Sequence, residues 1–181
     1  MNTAVVVPLK RFDRAKARLR LDNELDVTRI VEGLARGVIH ASHPRPVVVV
    51  SEDPELGDFV SSLGAELLLT SSTNLNEAVQ AAYAALGSRY EGLIVAHGDL
   101  LEPKGLGTFE PECDLTFYGD HRADGTNVIV LPTGLDFHFS YGPQSLSRHV
   151  REAERLQLPY RVDISSSWRF DVDVPGDLPG T

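Results

Sequence analysis

The residues of this sequence best suited to chemistry are cations near its start and carboxylates that follow apolar runs. Lys10, Arg11, Arg14, Lys16, Arg18 and Arg20 place six of the 17 basic side chains within residues 10–20, and only Asp13 interrupts them. The net charge is -9, so this cluster stands out against an acidic chain. Charge runs are most often solvated helix faces. This one follows the apolar run 4–7 and Pro8 directly, at the place where α/β folds bind phosphates. It lacks the glycines and the Gly-Lys-Ser/Thr ending of a P-loop, so contact with an anion falls mainly to Lys and Arg heads.

Asp99 lies just past the apolar run 92–96, within His97-Gly98-Asp99-Leu100. A carboxylate at the carboxyl end of a parallel strand can hold Mg²⁺ against phosphate, and Gly-Asp is equally an ordinary turn. Asp171 and Asp173 alternate with Val172 and Val174. On a strand both carboxylates would share a face, either as a hard-oxygen metal site or as a solvated edge. Gly125-Thr126-Asn127 and Tyr141-Gly142-Pro143-Gln144-Ser145 add hydroxyls. With amides at a helix N-terminus these could take up a small carboxylate or phosphate, although Ser145 could equally be an N-cap.

These residues need elements to hold them. Strands are predicted over 4–7, 46–50, 66–69 and 92–96, alternating with helices over 27–39, 53–63 and 75–86. Such alternation predicts an α/β fold with a mostly parallel sheet flanked by helices on both faces. After Asp99 the rhythm changes to strands over 114–118, 128–131, 160–163 and 168–172, with one helix over 144–156 whose stripe is Leu146, Val150, Ala153 and Leu156. No Gly-, Ser- or Pro-rich linker interrupts the chain, so residues 1–181 read as a single domain.

Composition excludes several classes. The acidic balance argues against a nucleic-acid partner. No apolar run nears the roughly 18 residues of a membrane span, and no export signal is visible. A lone Cys113 and no zinc-spaced cluster suit a reducing compartment, so a cytoplasmic location off the membrane is expected. Oligomeric state stays open, a homo-oligomer included.

In their order along the chain, these segments resemble one family, the 2-phospho-L-lactate and phosphoenolpyruvate guanylyltransferases of coenzyme F-420 biosynthesis. The segments are VPLKRFDRAKARL, Asn74-Leu75-Asn76 with Ala78, the Asp99 strand end, Gly125-Thr126-Asn127, Tyr141-Gly142 with Ser145 and His149, and Asp171-Val172-Asp173 with Asp177-Leu178. The resemblance implies a nucleotidyltransferase-like, Rossmann-like domain with GTP and a small phosphorylated carboxylic acid as substrates. It implies that Asp99, Asp171 and Asp173 hold Mg²⁺, and that Thr126, Gly142 and Ser145 grip the acid. Lys10, Lys16 and Arg18 would serve the triphosphate with Asp99 in catalysis, and Pro8 and Asn76 would lie along the nucleotide. Two positions depart from the family pattern: Leu101 stands where a Pro follows the metal-binding Asp, and Asp124 stands where a glycine precedes Gly125.

In the reaction so implied, the acid's phosphate attacks the α-phosphorus of GTP and pyrophosphate leaves. Phosphoenolpyruvate is preferred over 2-phospho-L-lactate and 3-phosphoglycerate, because Arg dominates the basic residues as in GC-rich genomes. Other readings are a molybdopterin or sugar-phosphate nucleotidyltransferase, which would carry a glycine-rich first loop, and a GTP-binding regulatory protein without catalysis.

Overall fold

The computed structural model describes residues 2–12, 27–72, 74–111, 115–172 and 177. In chain order the elements are β1 (Thr3–Pro8), α1 (Val27–Ser42), β2 (Val47–Ser51), α2 (Gly57–Ser62), β3 (Glu66–Leu69), α3 (Leu75–Leu86), β4 (Gly92–Ala96), β5 (Thr116–Gly119), β6 (Thr126–Pro132), α4 (Ser145–Arg155) and β7 (Arg161–Asp163). All seven strands join one sheet in the order β3-β2-β1-β4-β6-β5-β7. β3, β2, β1 and β4 run parallel, β6 runs antiparallel to both β4 and β5, and β5 pairs parallel with β7.

The apolar runs become central strands because both of their faces are covered, which removes any need for alternation with polar residues. Ala4 and Val6 of β1 belong to one core cluster with Val79 and Ala82 of α3 and Leu146 and Ala153 of α4. Val5 and Val7 point the other way, toward Ala35, Val38 and Ile39 of α1 and Val60 of α2. Helices therefore flank both faces, as the alternation predicts. α1 buries Val27, Val31, Ala35, Val38 and Ile39, spaced three to four apart as an inward stripe requires. No helix among the described residues is long and apolar enough to cross a membrane.

Two elements differ from the sequence reading. The helix expected over 53–63 starts as a 3-10 turn at Pro54–Leu56, capped by Asp53 accepting the Glu55 amide at 3.0 Å, and only then becomes α2. The strand expected over 168–172 is instead a 3-10 turn at Ser167–Arg169, followed by a single antiparallel bridge between Leu100 and Asp171. The reason is where its backbone groups find partners. Ser166 Oγ accepts the Trp168 amide at 3.2 Å, and the Trp168 carbonyl accepts from Asn127 Nδ2 at 3.0 Å, so side chains satisfy what a ladder would otherwise have to.

Candidate functional site

β1 lies between β2 and β4, so the chain winds to one side of β1 and then returns to the other. Open α/β sheets bind ligands at such a reversal, beyond the carboxyl ends of the strands. A cleft of about 570 Å³ opens there, within the range of small-molecule sites. Pro8, Leu9 and Lys10 leave β1 along its wall, and His97, Gly98 and Asp99 leave β4 beside them. A Cβ on Gly98 would stand 2.3 Å from Leu9 Cδ2, so a larger residue here would require the Leu9 side chain to shift. β6 runs opposite to β4, and the His97 amide donates to the Asn127 carbonyl at 3.0 Å. The start of β6 thereby brings Thr126 and Asn127 to the same cleft.

Asp171 reaches the cleft from far along the chain. Trp168, buried against Phe109 and Tyr118 with ring centroids at 4.8 and 4.7 Å, anchors the returning segment, and its Nε1 donates to the Lys104 carbonyl at 2.9 Å. Backbone bonds Leu101 N to Phe170 O (2.8 Å) and Val172 N to Asp99 O (3.2 Å) then lay Asp171 beside the Asp99 segment. Asn127 Nδ2 donates to Asp171 Oδ1 at 3.2 Å, which orients the carboxylate. Asp99 and Asp171 thus line the same cleft, and carboxylate oxygens are the hard donors that Mg²⁺ takes. Among the described residues no group of three or more metal-ligating side chains assembles. Asp173, the third expected carboxylate, lies outside the described residues.

The same cleft holds two buried hydroxyls. Thr126 and Ser145 line the cleft with Oγ atoms 3.4 Å apart. Ser145 is not the N-cap of α4: that position is Gln144, in the left-handed region at φ 57° with no side-chain cap bond. The backbone amides expected to help hold an anion at this helix start are in part already used. Gln144 N donates to Asp124 Oδ2 (3.0 Å), Leu146 N to Asp124 O (3.1 Å) and Ser145 N to Gly142 O (3.0 Å). Asp124, one of the two departures from the family pattern, thus caps α4 while lining the cleft. Gly142 holds φ 111°, a conformation that favours glycine.

Behind the hydroxyls lies His149, fully buried, with Nδ1 3.1 Å from Thr126 Oγ1 and Nε2 accepting the Ser140 amide at 2.9 Å. Burial, then the nearby His97 and Arg148 charges, hold its pKa down at about 3, with Glu152 opposing, so the ring is neutral near pH 7. Two further polar atoms, His97 Nε2 and the Tyr141 hydroxyl, are buried in cleft-lining residues without a hydrogen-bond partner among the described residues. Burial raises the Tyr141 pKa, so its hydroxyl stays protonated and able to donate.

Lys10 is exposed at the rim, and Arg122 adds a second cation from the turn after β5. Lys16 and Arg18 lie outside the described residues. A side hollow of about 40 Å³ shares Pro8, Leu9, Lys10 and Leu75 and extends to Ser51, Ser72 and Asn74. Asn76 lines neither space: its Nδ2 donates to the Tyr141 carbonyl at 3.3 Å and its Oδ1 accepts the Tyr141 amide, which fixes the loop carrying Gly142. One cleft therefore gathers Pro8, Lys10, Asp99, Thr126, Gly142, Ser145 and Asp171. Sequence reasoning gave no role to Asn127, Tyr141 or His149. A signal for His149 exists, since it stands four residues after Ser145 and so on the same face of α4.

The chain is similar to proteins of one known family. The family model described as "Guanylyl transferase CofC like" matches residues 3–180. A phosphoenolpyruvate guanylyltransferase of Thermobaculum terrenum is 28% identical, over 98% of this chain and 82% of its own length. A 2-phospho-L-lactate guanylyltransferase of Methanocaldococcus infernus is 23% identical, with the same coverage of 98% and 82%. Among solved structures, a nucleotidyl transferase from Methanothermobacter thermautotroptrophicus superposes with a TM-score of 0.63 at 15% identity, over 97% of this chain and 93% of that one. The fold is that of the nucleotidyltransferases.

Proposed function

We propose that this chain, which belongs to the CofC-like guanylyl transferase family, transfers GMP from GTP to a small phosphorylated carboxylic acid in coenzyme F-420 biosynthesis. The observation that carries the reading is one cleft lined by Asp99 and Asp171, the buried Thr126–Ser145 hydroxyl pair and the exposed Lys10. The triphosphate runs past Lys10, and the nucleoside lies toward the side hollow by Leu75. The acid sits against Thr126, Ser145 and Gly142, where Tyr141 and His97 offer further polar atoms. Relatives of both acceptor names support a phospho-acid, and the higher identity of the phosphoenolpyruvate-named one makes that acid the first to test.

An oxygen of the acid's phosphate forms a bond to the α-phosphorus of GTP. The bond from that phosphorus to the oxygen bridging to the β-phosphate breaks, and pyrophosphate leaves with the electron pair. A phosphate monoester is already mostly dianionic near pH 7, its second pKa being about 6, so no side chain need remove a proton. Asp99 and Asp171 would hold Mg²⁺, with Asp173 as the expected third ligand, and the ion would supply neutralisation of phosphate charge. The chain's own contribution is positioning: Asn127 aims Asp171, Asn76 fixes the Gly142 loop, and Lys10 offsets negative charge at the rim.

Incubation of the protein with GTP, Mg²⁺ and each acid separately, with mass detection of product and an assay for pyrophosphate, tests this. Guanylylated phosphoenolpyruvate is expected. Product from 2-phospho-L-lactate alone would move the acceptor. GTP binding without pyrophosphate release, whichever acid is present, would overturn the enzymatic reading.

A further inference from the structure

The hydroxyls that face the cleft are connected to a buried imidazole, and that connection decides where their hydrogens point. The Ser140 amide can only donate, so His149 Nε2, which lies 2.9 Å away, must be bare. The single hydrogen of the neutral ring is then on Nδ1, 3.1 Å from Thr126 Oγ1, which therefore accepts. Thr126 and Ser145 share one of their two hydroxyl hydrogens across the 3.4 Å between them. The other is left over, and both residues line the cleft. The opposite tautomer would give the reverse result. Thr126 would then donate to Nδ1, Ser145 would donate to Thr126, and only lone pairs would face the ligand.

We infer that His149 is a positioning residue that fixes the Thr126–Ser145 pair as a hydrogen-bond donor toward the cleft, selecting an anionic oxygen of the acceptor acid. The inference rests on the reading of this wall as the acid's site. An oxygen anion facing lone pairs would be repelled, whereas one facing a donor gains a charge-assisted bond. The ring has little freedom to change its role. It lies beside Phe117 and Phe137, with centroids 6.0 Å away in both cases, and edge-on to Tyr141 at 5.0 Å. The groups that act on its charge are His97, Arg148 and Glu152: burial, then His97 and Arg148, keep it neutral, and only Glu152 opposes them.

Three substitutions separate this from a packing role. Asn at 149 puts an amide near the place of Nδ1 and can still donate to Thr126. Gln puts its head near the place of Nε2 and can serve Ser140 only, and Phe serves neither. With phosphoenolpyruvate as the varied substrate, His149→Gln and His149→Phe should lower kcat/KM by about 10- to 100-fold, the value of one bond to a charged group. His149→Asn should return it to within a few-fold of wild type, with the KM for GTP unchanged in all three. In a Thr126→Val background, His149→Gln should add no further loss. A Gln variant as active as Asn, or losses shared equally with GTP, would reduce His149 to a packing residue.

Two measurements do not depend on turnover. Nitrogen NMR of the histidine-labelled wild-type protein should show a ring protonated at Nδ1 and bare at Nε2, unchanged between about pH 5 and 8; a ring protonated at Nε2 overturns the inference outright. If the wild-type protein guanylylates neither acid, the functional reading falls. The NMR result and calorimetric binding of phosphoenolpyruvate to wild-type, Asn and Gln proteins then judge the placement of hydrogen separately, with equal affinity in all three counting against it.

Discussion

Asp99 lines the cleft from a strand end and Asp171 from a distant segment, where Asn127 Nδ2 donates to its Oδ1 at 3.2 Å. Replacing Asp171 by Asn keeps its shape and an oxygen for Asn127 while removing the charge. Turnover at saturating GTP, acid and Mg²⁺ should fall by about 100-fold or more, with unfolding free energy within about 1 kcal/mol of wild type. Unchanged kcat would remove Asp171 from the proposed metal site. Asn127→Ala is a different lesion. It removes the donor to the Trp168 carbonyl and one bond to Asp171. Stability should drop by about 1–3 kcal/mol, and the Mg²⁺ concentration for half-maximal rate should rise by about 10- to 100-fold. Chemical unfolding and a Mg²⁺ titration of the rate measure the two effects. A stability loss with an unchanged Mg²⁺ requirement would show that Asn127 only braces the turn.

The elements hold these residues through close backbone approaches, of which Gly107 is the tightest. Its amide donates to the Ala41 carbonyl at 2.8 Å, and a Cβ there would stand 2.0 Å from the His43 carbonyl oxygen. Because that obstacle is backbone at the end of α1, Gly107→Ala should cost about 3 kcal/mol. Gly33, exposed within α1 with open space of at least 4 Å around the position a Cβ would take, should behave oppositely: Gly33→Ala should gain about 1 kcal/mol in helix propensity. Denaturant midpoints of both variants check the pair, and equal effects would refute the contrast. The sequence made the central strands legible because burial on both faces leaves unbroken apolar runs, as in the four valines 47–50 of β2. It misled over 168–172, where β-like residues build a turn because Asn127 and Ser166 take up its backbone groups. The cations and carboxylates of the site announced themselves by type, and the family likeness pointed to Thr126, Gly142 and Ser145. The hydrogen-bond chain from Ser140 through His149 to Thr126 was silent, since its members lie on a loop, a helix and a strand and meet only in the folded state.

For the molecule as a whole, His149 also ties folding to pH. Its pKa is about 3 in the folded protein against an ordinary 6.5, so between those values the unfolded chain binds one more proton. Stability from this group is therefore complete above about pH 6.5 and declines as pH falls toward about 3, by up to about 1.4 kcal/mol for each pH unit. Glu152 has the same sign in a lower window. Its bond to Arg155, with further bonds from His138, outweighs burial and holds its pKa at about 2 against 4.5. Its stabilising effect is thus already complete above about pH 4.5, and it adds little slope there. The net charge of -9 works the other way, because acidification relieves self-repulsion, but salt screens that effect. Urea unfolding at about 0.15 M salt between about pH 5 and 6 should thus isolate the histidine. We expect a wild-type slope near one proton, and a slope lower by about one proton in His149→Asn or His149→Gln. If both variants keep the wild-type slope, His149 is not the group that makes the fold acid-sensitive, and the neutral buried ring on which the hydroxyl wiring depends would have to be abandoned with it.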